Sequence, residues 1–419
     1  MDKSYIKHKI KHDLQRLITL GKWVLFSIIM GIISGLVGSI FYNLVFAVTG
    51  LREDYPQFLL LLPVGSVLIA YMYKVFKDDN DGGTNLVLSA IHSNENIPFR
   101  MSFLIFLSTI FSHLCGASVG REGAALQIGG SVGQGLGKIL KLDRNDKNTM
   151  VMCGMSGVFS ALFGTPVAAA FFSMEVVSVG IMHYAALVPC VISSVIARFV
   201  AEYFGAKAPS YDIIVAQFSI KNMILVAILA GLAGLCSVLF CIILHKTEEY
   251  LKKFFSNIYI RALCGGTVLF ILTVLVHSQR YNGAGIDLIK SAVEGDVQGW
   301  DFILKILFTA VSIAAAYKGG EIVPSFVIGA TFGSFFGQLF GLPAALSAAI
   351  GMGAVFCGVT NTPVTSLLIC FEMFGLKGWP YFLIAIAISY EVSGYYSVYQ
   401  SQRIVYSKYK SNYINKQAH

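Results

Sequence analysis

Gly154-Met155-Ser156-Gly157-Val158-Phe159, then Thr165-Pro166-Val167, then Glu175, returns later in the chain as Gly351-Met352-Gly353-Ala354-Val355-Phe356, Thr362-Pro363-Val364 and Glu372. Upstream of each copy lies a second matching pair. Leu126-Gln-Ile-Gly-Gly-Ser-Val-Gly-Gln-Gly-Leu-Gly137 lines up with Phe326-Val-Ile-Gly-Ala-Thr-Phe-Gly-Ser-Phe-Phe-Gly337. Order is kept and the offsets differ by only a few residues, so the chain carries an internal duplication. Each half holds a glycine-rich apolar segment and a Thr-Pro break. Duplicated halves with interrupted apolar segments are a transporter pattern, with the binding site near the membrane midplane at the ends of broken helices. The first half is expected at residues 19–204 and the second at 219–399. Residues 205–218, with Pro209 and Asp212, read as an external connecting loop. Residues 1–18 form a basic N-terminal segment and 400–419 a short basic tail.

Composition agrees. Of 419 residues, 56% are hydrophobic and 13% charged, and the mean hydropathy is +0.69. That profile excludes a soluble globular chain. Apolar runs long enough to cross hydrocarbon recur from Trp23 to Ile388. The first follows a basic amphipathic lead, which argues against a cleaved signal peptide. The net charge of +8 is concentrated at the ends, in Lys3, Lys7, Lys9, Lys11, Arg16 and Lys22 and in Arg403, Lys408, Lys410 and Lys416. By the positive-inside rule both termini are expected in the cytoplasm, with an even number of crossings of a cytoplasmic membrane. Flanking apolar spans make orientation, not nucleic acid, the reading of these charges. The 8 cysteines are scattered through apolar segments without CxxC or metal-ligand spacing, so neither a metal nor a cofactor is expected. Glycine, at 41 residues, is concentrated within the spans, as close helix packing or helix breaks require.

Charged residues inside the apolar runs mark the candidate site. Gly120-Arg121-Glu122-Gly123 interrupts the stretch from Phe103 to Ile139. A carboxylate at membrane depth costs on the order of 3 kcal/mol on insertion scales and defaults to function. Glu122 also precedes a helical run, and bare amides at a helix start attract anions. A carboxylate standing where an anion would bind can act as a gate: ionised it occupies the site, protonated it swings away. Glu175 follows the Thr165-Pro166 break, and a buried carboxyl there is a candidate for holding or passing a proton. Its counterpart Glu372 reads as structural. Lys318-Gly319-Gly320-Glu321-Ile322-Val323-Pro324 opens the second glycine-rich helix, with Pro324 suited to a first helical turn. Glu321 is either a proton or selectivity residue or half of a pair with Lys318. Asp81-Gly82-Gly83-Thr84-Asn85 is compatible with a capped turn and equally with amides and a hydroxyl offered to an anion.

At these residues the chain resembles the CLC family of anion channels and anion/proton antiporters. Gly120-Arg-Glu-Gly is similar to that family's GREGP element, with Ala124 in place of Pro. Gly320-Glu-Ile-Val-Pro324 is similar to its GxFxP element, with Ile322 at the Phe position. The paired repeat and motif order fit from about residue 20 to 400. The resemblance implies an all-α polytopic membrane protein of two inverted repeats with tilted, broken and re-entrant helices, and a homodimer with one pathway per subunit. It implies that Glu122 is the gating glutamate and Glu175 the internal proton-transfer residue. It places Tyr399 at the central anion site, with Tyr406 as the alternative. Anion contacts are then expected from Gly83, Thr84, Gly123, Ile322 and Val323. The family's GSGIP loop falls at Asp81–Asn85 without its Ser and Pro. The GGExxP form with Glu321 looks similar to the fluoride-exporting branch, but Val323 stands where that branch has Thr. The expected anion is therefore chloride or fluoride, chloride being the nearer expectation.

Two other functions compete. Gly154-Met-Ser156-Gly resembles the nucleophile segment of rhomboid intramembrane proteases, a chemistry that needs an activating His. His183 and His277 are the candidates in apolar context, yet the repeat replaces Ser156 with Gly353, so small size is what recurs. A passive anion channel shares the fold and gate but has no need of Glu175. The combined reading is an anion/proton antiporter, not an enzyme.

Overall fold

The computed structural model describes residues 3–77, 82–93 and 95–419, side chains from residue 9 onward. Asp81 and the side chains of Lys3 and Lys7 lie outside the described residues. Among the described residues, eight α-helices precede residues 205–218 and eight follow. The first eight are α1 (Lys3–Asp54), α2 (Leu62–Val75), α3 (Gly83–Ser93), α4 (Phe99–Cys115), α5 (Glu122–Ile139), α6 (Arg144–Phe163), α7 (Pro166–Glu175) and α8 (Leu187–Tyr203). The second eight are α9 (Ile220–Phe254), α10 (Ile258–Val276), α11 (Ile286–Glu294), α12 (Asp301–Ala314), α13 (Ile322–Leu339), α14 (Ala344–Thr360), α15 (Pro363–Phe374) and α16 (Trp379–Val392). The basic lead is continuous with the first span in α1, so no break falls at residue 18.

Local chemistry sets the breaks. Pro166 and Pro363 stand at the first helical positions of α7 and α15, where a missing amide costs nothing. The preceding helices α6 and α14 end on left-handed residues, Gly164 at φ 77° and Asn361 at φ 57°. Asn tolerates that conformation better than other side-chain-bearing residues, so the same stop is written with different letters in the two halves. Among the described residues, six helices are long and apolar enough to cross a membrane. Others stop short. With 17 residues, α4 rises about 26 Å, less than the ~30 Å hydrocarbon core. With 10 residues, α7 rises about 15 Å and ends part-way.

Three contacts relate the halves as an inverted pair. Gly120 N–H donates to the Gly320 carbonyl at 2.6 Å, and Gly320 N–H returns the bond to Gly120 at 2.8 Å, an isolated antiparallel bridge. Glu175, at the end of α7, accepts from Val364 N–H at 3.0 Å, Thr365 N–H at 2.8 Å and Thr365 Oγ1 at 2.6 Å, capping α15. Glu372, near the end of α15, accepts from Val167 N–H at 3.0 Å and Ala168 N–H at 2.8 Å, capping α7. Thirdly, α5 crosses α6 where Gly129 meets the backbone of Gly154, and α13 crosses α14 where Gly329 meets that of Gly351. A Cβ at any of these four would press into the facing main chain, with no flexible side chain to give way. The Gly329→Val protein is therefore expected to lose about 3 kcal/mol or more of stability through overpacking, seen as an earlier thermal unfolding midpoint in detergent.

One feature departs from a purely helical expectation. Ser178–Val179 (β1), Arg403–Tyr406 (β2) and Tyr413–Gln417 (β3) form a small sheet, β1 parallel to β2 and β2 antiparallel to β3. Ile404-Val405-Tyr406 is β-branched and aromatic, a composition that suits a pleated surface. The tail is thereby tied to the membrane body. Gln402 Nε2 donates to Val176 O at 2.9 Å and Thr360 O at 2.7 Å. Lys408 Nζ donates to Tyr390 O at 2.8 Å, satisfying a carbonyl near the end of α16.

Candidate anion pathway

The Gly120–Gly320 bridge brings the starts of α5 and α13 face to face. The first amides of a helix have no intrahelical acceptor, and neither helix has a side-chain cap on them. Two positive helix ends thus converge beside Gly123, Ile322 and Val323, all buried. Gly123 has to be small, because a Cβ there would meet Gly320 Cα at 2.8 Å.

Glu122 occupies this junction and is 0% exposed. Its Oε2 accepts from Arg121 N–H at 3.0 Å. Its Oε1 lies 3.5 Å from Arg121 Nε, yet neither atom has a hydrogen-bond partner, so the ion contact is misaligned. Arg121 is held elsewhere, with its guanidinium carbon 4.6 Å from the Tyr42 ring centroid. A buried carboxylate with a free oxygen is a costly arrangement in apolar surroundings and leaves the group free to rotate.

Two cavities are lined by residues next to the junction. One, of about 330 Å³, is lined by Gly83, Thr84, Gln127, Glu321 and Tyr399, with Glu248 and Lys252 nearby on its wall. The other, of about 550 Å³, is lined by Arg52, His113, Arg121 and Asn282, with Glu53 and Asp287. Glu122 lines neither cavity, while its neighbour Arg121 lines the second.

The structure gathers most of the expected anion contacts. Tyr399 is buried at 1% exposure and its hydroxyl has no partner. Tyr406 lies elsewhere, 44% exposed on β2 against Tyr413. Thr84 Oγ1 donates to Gly123 O at 3.3 Å and accepts from Gln127 Nε2 at 3.3 Å, tying α3 to α5. Asn85 is engaged by Ser401, whose N–H and hydroxyl donate to Asn85 Oδ1 at 3.0 and 2.9 Å. No ion pair joins Lys318 to Glu321 among the described residues. Lys318 Nζ instead sits 4.4 Å from the Tyr73 ring centroid, leaving the Glu321 carboxylate on the cavity wall.

Glu175 is not gathered. Both its oxygens carry donors from α15, it lines neither cavity, and Glu372 mirrors it. The reading of Glu175 as a proton carrier meets a group already committed to a helix start. Ser156, the candidate nucleophile, donates to Cys190 O at 2.7 Å and has no His among its partners; its hydroxyl joins α6 to α8. Sequence reasoning missed Arg52 and His113, which line the second cavity with Arg121, and the buried Lys305. Lys305 sits inside the apolar α12, so the rule that singled out Glu122 applies to it as well.

A family model described as voltage gated chloride channel matches residues 65–394. The chain belongs to the CLC family. Over 96% of its length this CLC chain is 34% identical to a chloride/fluoride channel protein of Pseudomonas syringae pv. tomato, of which it covers 91%. It is 25% identical to the H(+)/Cl(-) exchange transporter ClcA of Vibrio cholerae, covering 83% of this chain and 81% of that one. Among solved structures, a CLC-type fluoride/proton antiporter superposes with a TM-score of 0.88 at 30% identity, over 91% of this chain and 98% of that chain. A eukaryotic CLC transporter shares the fold, with a TM-score of 0.75 at 20% identity, over 92% of this chain and 74% of that one. The protein is accordingly an integral membrane protein with the inverted-repeat CLC architecture.

Proposed function

We propose that this CLC protein exchanges a halide for protons, with Glu122 as the moving gate and fluoride as the preferred anion. The observation that carries the reading is Glu122 itself: wholly buried where the starts of α5 and α13 meet, and holding one oxygen without a donor. Ionised, the carboxylate fills the positive junction of α5 and α13 and keeps anions out. Protonated, it loses its attraction to those amides and yields the place to an anion. Each swing moves one proton.

Glu321 and Tyr399 support fluoride over the slight sequence-based preference for chloride. A fixed carboxylate on the wall repels any anion. Once protonated, it supplies an O–H beside the Tyr399 hydroxyl. Charge-assisted hydrogen bonds are strongest to compact acceptors, and fluoride is the most compact halide. The relatives at 34% and 30% identity are named for fluoride as well. In this reading Glu321 takes the inner proton position, and Glu175 is a cap. The cavity with Glu321 faces the cytoplasm, on the side of both termini, and two copies assemble as a dimer with separate pathways.

The test uses purified protein in liposomes loaded with fluoride or chloride, with anion efflux and internal pH recorded together. Uphill proton movement driven by fluoride, faster than with chloride, is the expected result. Anion efflux without proton movement would make the protein a passive channel, and faster chloride would reverse the anion assignment. Tyr399→Phe removes one donor and is expected to weaken fluoride affinity about tenfold, the equivalent of one hydrogen bond to an anion. Tyr406→Phe should leave the same concentration dependence unchanged.

A further inference from the structure

Tyr399 makes no hydrogen bond that would aim its own hydroxyl. Its placement is left to ring packing and to the main chain on either side, and that main chain is held by the end of α14. Val398 N–H donates to the Val359 carbonyl at 2.9 Å, and Ser397 Oγ donates to the same carbonyl at 3.1 Å. Tyr399 N–H donates to Ser397 Oγ at 3.1 Å. Gln402 N–H donates to the Tyr399 carbonyl at 3.1 Å, closing a turn over residues 399–402.

Gln402 anchors this turn. It is 0% exposed, and both polar atoms of its side chain are engaged. Nε2 donates to Val176 O at 2.9 Å and Thr360 O at 2.7 Å, while Oε1 accepts from Asn361 Nδ2 at 2.9 Å. Val176 stands at the end of α7 and Thr360 at the end of α14, where carbonyls lack intrahelical donors. One amide therefore ties together a helix end from each half. Asn361 Nδ2 also donates to Tyr396 O at 3.0 Å, so the Gln402–Asn361 pair grips the chain before and after Tyr399. Of the two amides only Asn361 Oδ1 lacks a partner. The first half has Gly164 at the position matching Asn361, so the half that carries the tail is the one with a side chain there. Buried polar groups with their partners in place rigidify the segment they join.

We propose that Gln402 is the positioning residue for the Tyr399 hydroxyl: its amide, steadied by Asn361, spans the ends of α7 and α14 and sets the turn from which Tyr399 reaches the cavity it shares with Glu321. Gln402 does not line that cavity, so it acts through Tyr399 and not on the anion. The inference rests on the reading of Tyr399 as an anion donor and names what holds the donor in place. A hydrogen bond weakens steeply as its distance and angle drift. Loosening the turn therefore lowers fluoride affinity without removing any group from the cavity.

The experiment is a double-mutant cycle on the full chain in liposomes, read as the fluoride concentration for half-maximal flux. Gln402→Met keeps the bulk and removes the amide. It is expected to raise that concentration severalfold, by no more than the about tenfold of Tyr399→Phe, and to add nothing further in the Tyr399→Phe background. A loss of stability alone would move the unfolding midpoint but not this dependence. Unchanged fluoride dependence in Gln402→Met, or the same shift with and without the Tyr399 hydroxyl, overturns the proposal. Meta-fluorotyrosine incorporated at position 399 reads placement directly. One narrow fluorine resonance is expected in the otherwise wild-type protein, and a broadened or second resonance with Gln402→Met; an unchanged resonance also overturns the proposal. If Gln402→Met does not fold, Asn361→Gly serves in its place, since glycine accepts the φ of 57° and only the side-chain contacts are lost. Tyr399→Phe without any shift would end the donor reading, while the fluorine resonance would still decide whether Gln402 holds the ring, so the two fail separately.

Discussion

Glu122→Ala is expected to carry halide at an undiminished or higher rate while moving no protons. The alanine leaves the amides at the starts of α5 and α13 open, so the anion meets no competitor at that junction. Gly123, Ile322 and Val323 contribute backbone only at that junction. The effect should be all-or-none in coupling, because in this mechanism proton and anion exchange for one another only at the Glu122 side chain. Simultaneous recording of anion efflux and internal pH in liposomes decides it. Retained proton pumping in Glu122→Ala would remove Glu122 from the mechanism and move the gate to Glu321 or Tyr399. Glu122→Gln is the companion variant. It mimics the protonated form, so it should also uncouple, with lower flux than alanine because the amide still fills part of the space.

Much of this arrangement was readable in the chain. The duplication was legible because both halves use the same glycine-rich crossing and the same Thr-Pro stop, each needing particular residue types. Glu122 was legible because a charge inside an apolar run has few explanations. The inverted relation of the halves came only through the family resemblance, since it rests on the bond between Gly120 and Gly320, a long-range contact that no local pattern encodes. The tail was missed for a similar reason: β2 acquires its meaning from pairing with β1, on the other half of the molecule. Arg52 and His113 come together only through the packing of α1 against α4. Glu175 was the opposite case. Its position after a helix break was plain, but capping and proton transfer place a glutamate in the same sequence context.

Glu175→Ala separates those two roles, and the expected result is loss of stability with no selective loss of proton movement. Two amides and a hydroxyl of α15 are left without an acceptor in apolar surroundings. Each buried donor left unsatisfied costs about 1–3 kcal/mol, so the start of α15 should weaken by at least about 3 kcal/mol. Glu372→Ala removes the symmetric cap, with two donors instead of three, and should destabilise α7 by a similar but smaller amount. The three thermal unfolding midpoints in detergent should therefore fall in the order wild type, Glu372→Ala, Glu175→Ala. Among molecules that remain folded in liposomes, anion and proton flux should decline together. Glu175→Gln sharpens the comparison. Its amide oxygen still accepts from α15 while its nitrogen faces a donor, so it should cost less stability than alanine. A proton carrier would lose its function on that substitution as fully as on alanine. Proton flux abolished in Glu175→Gln with anion flux and unfolding midpoint intact would restore Glu175 to the proton route, and the symmetry with Glu372 would then be architectural only.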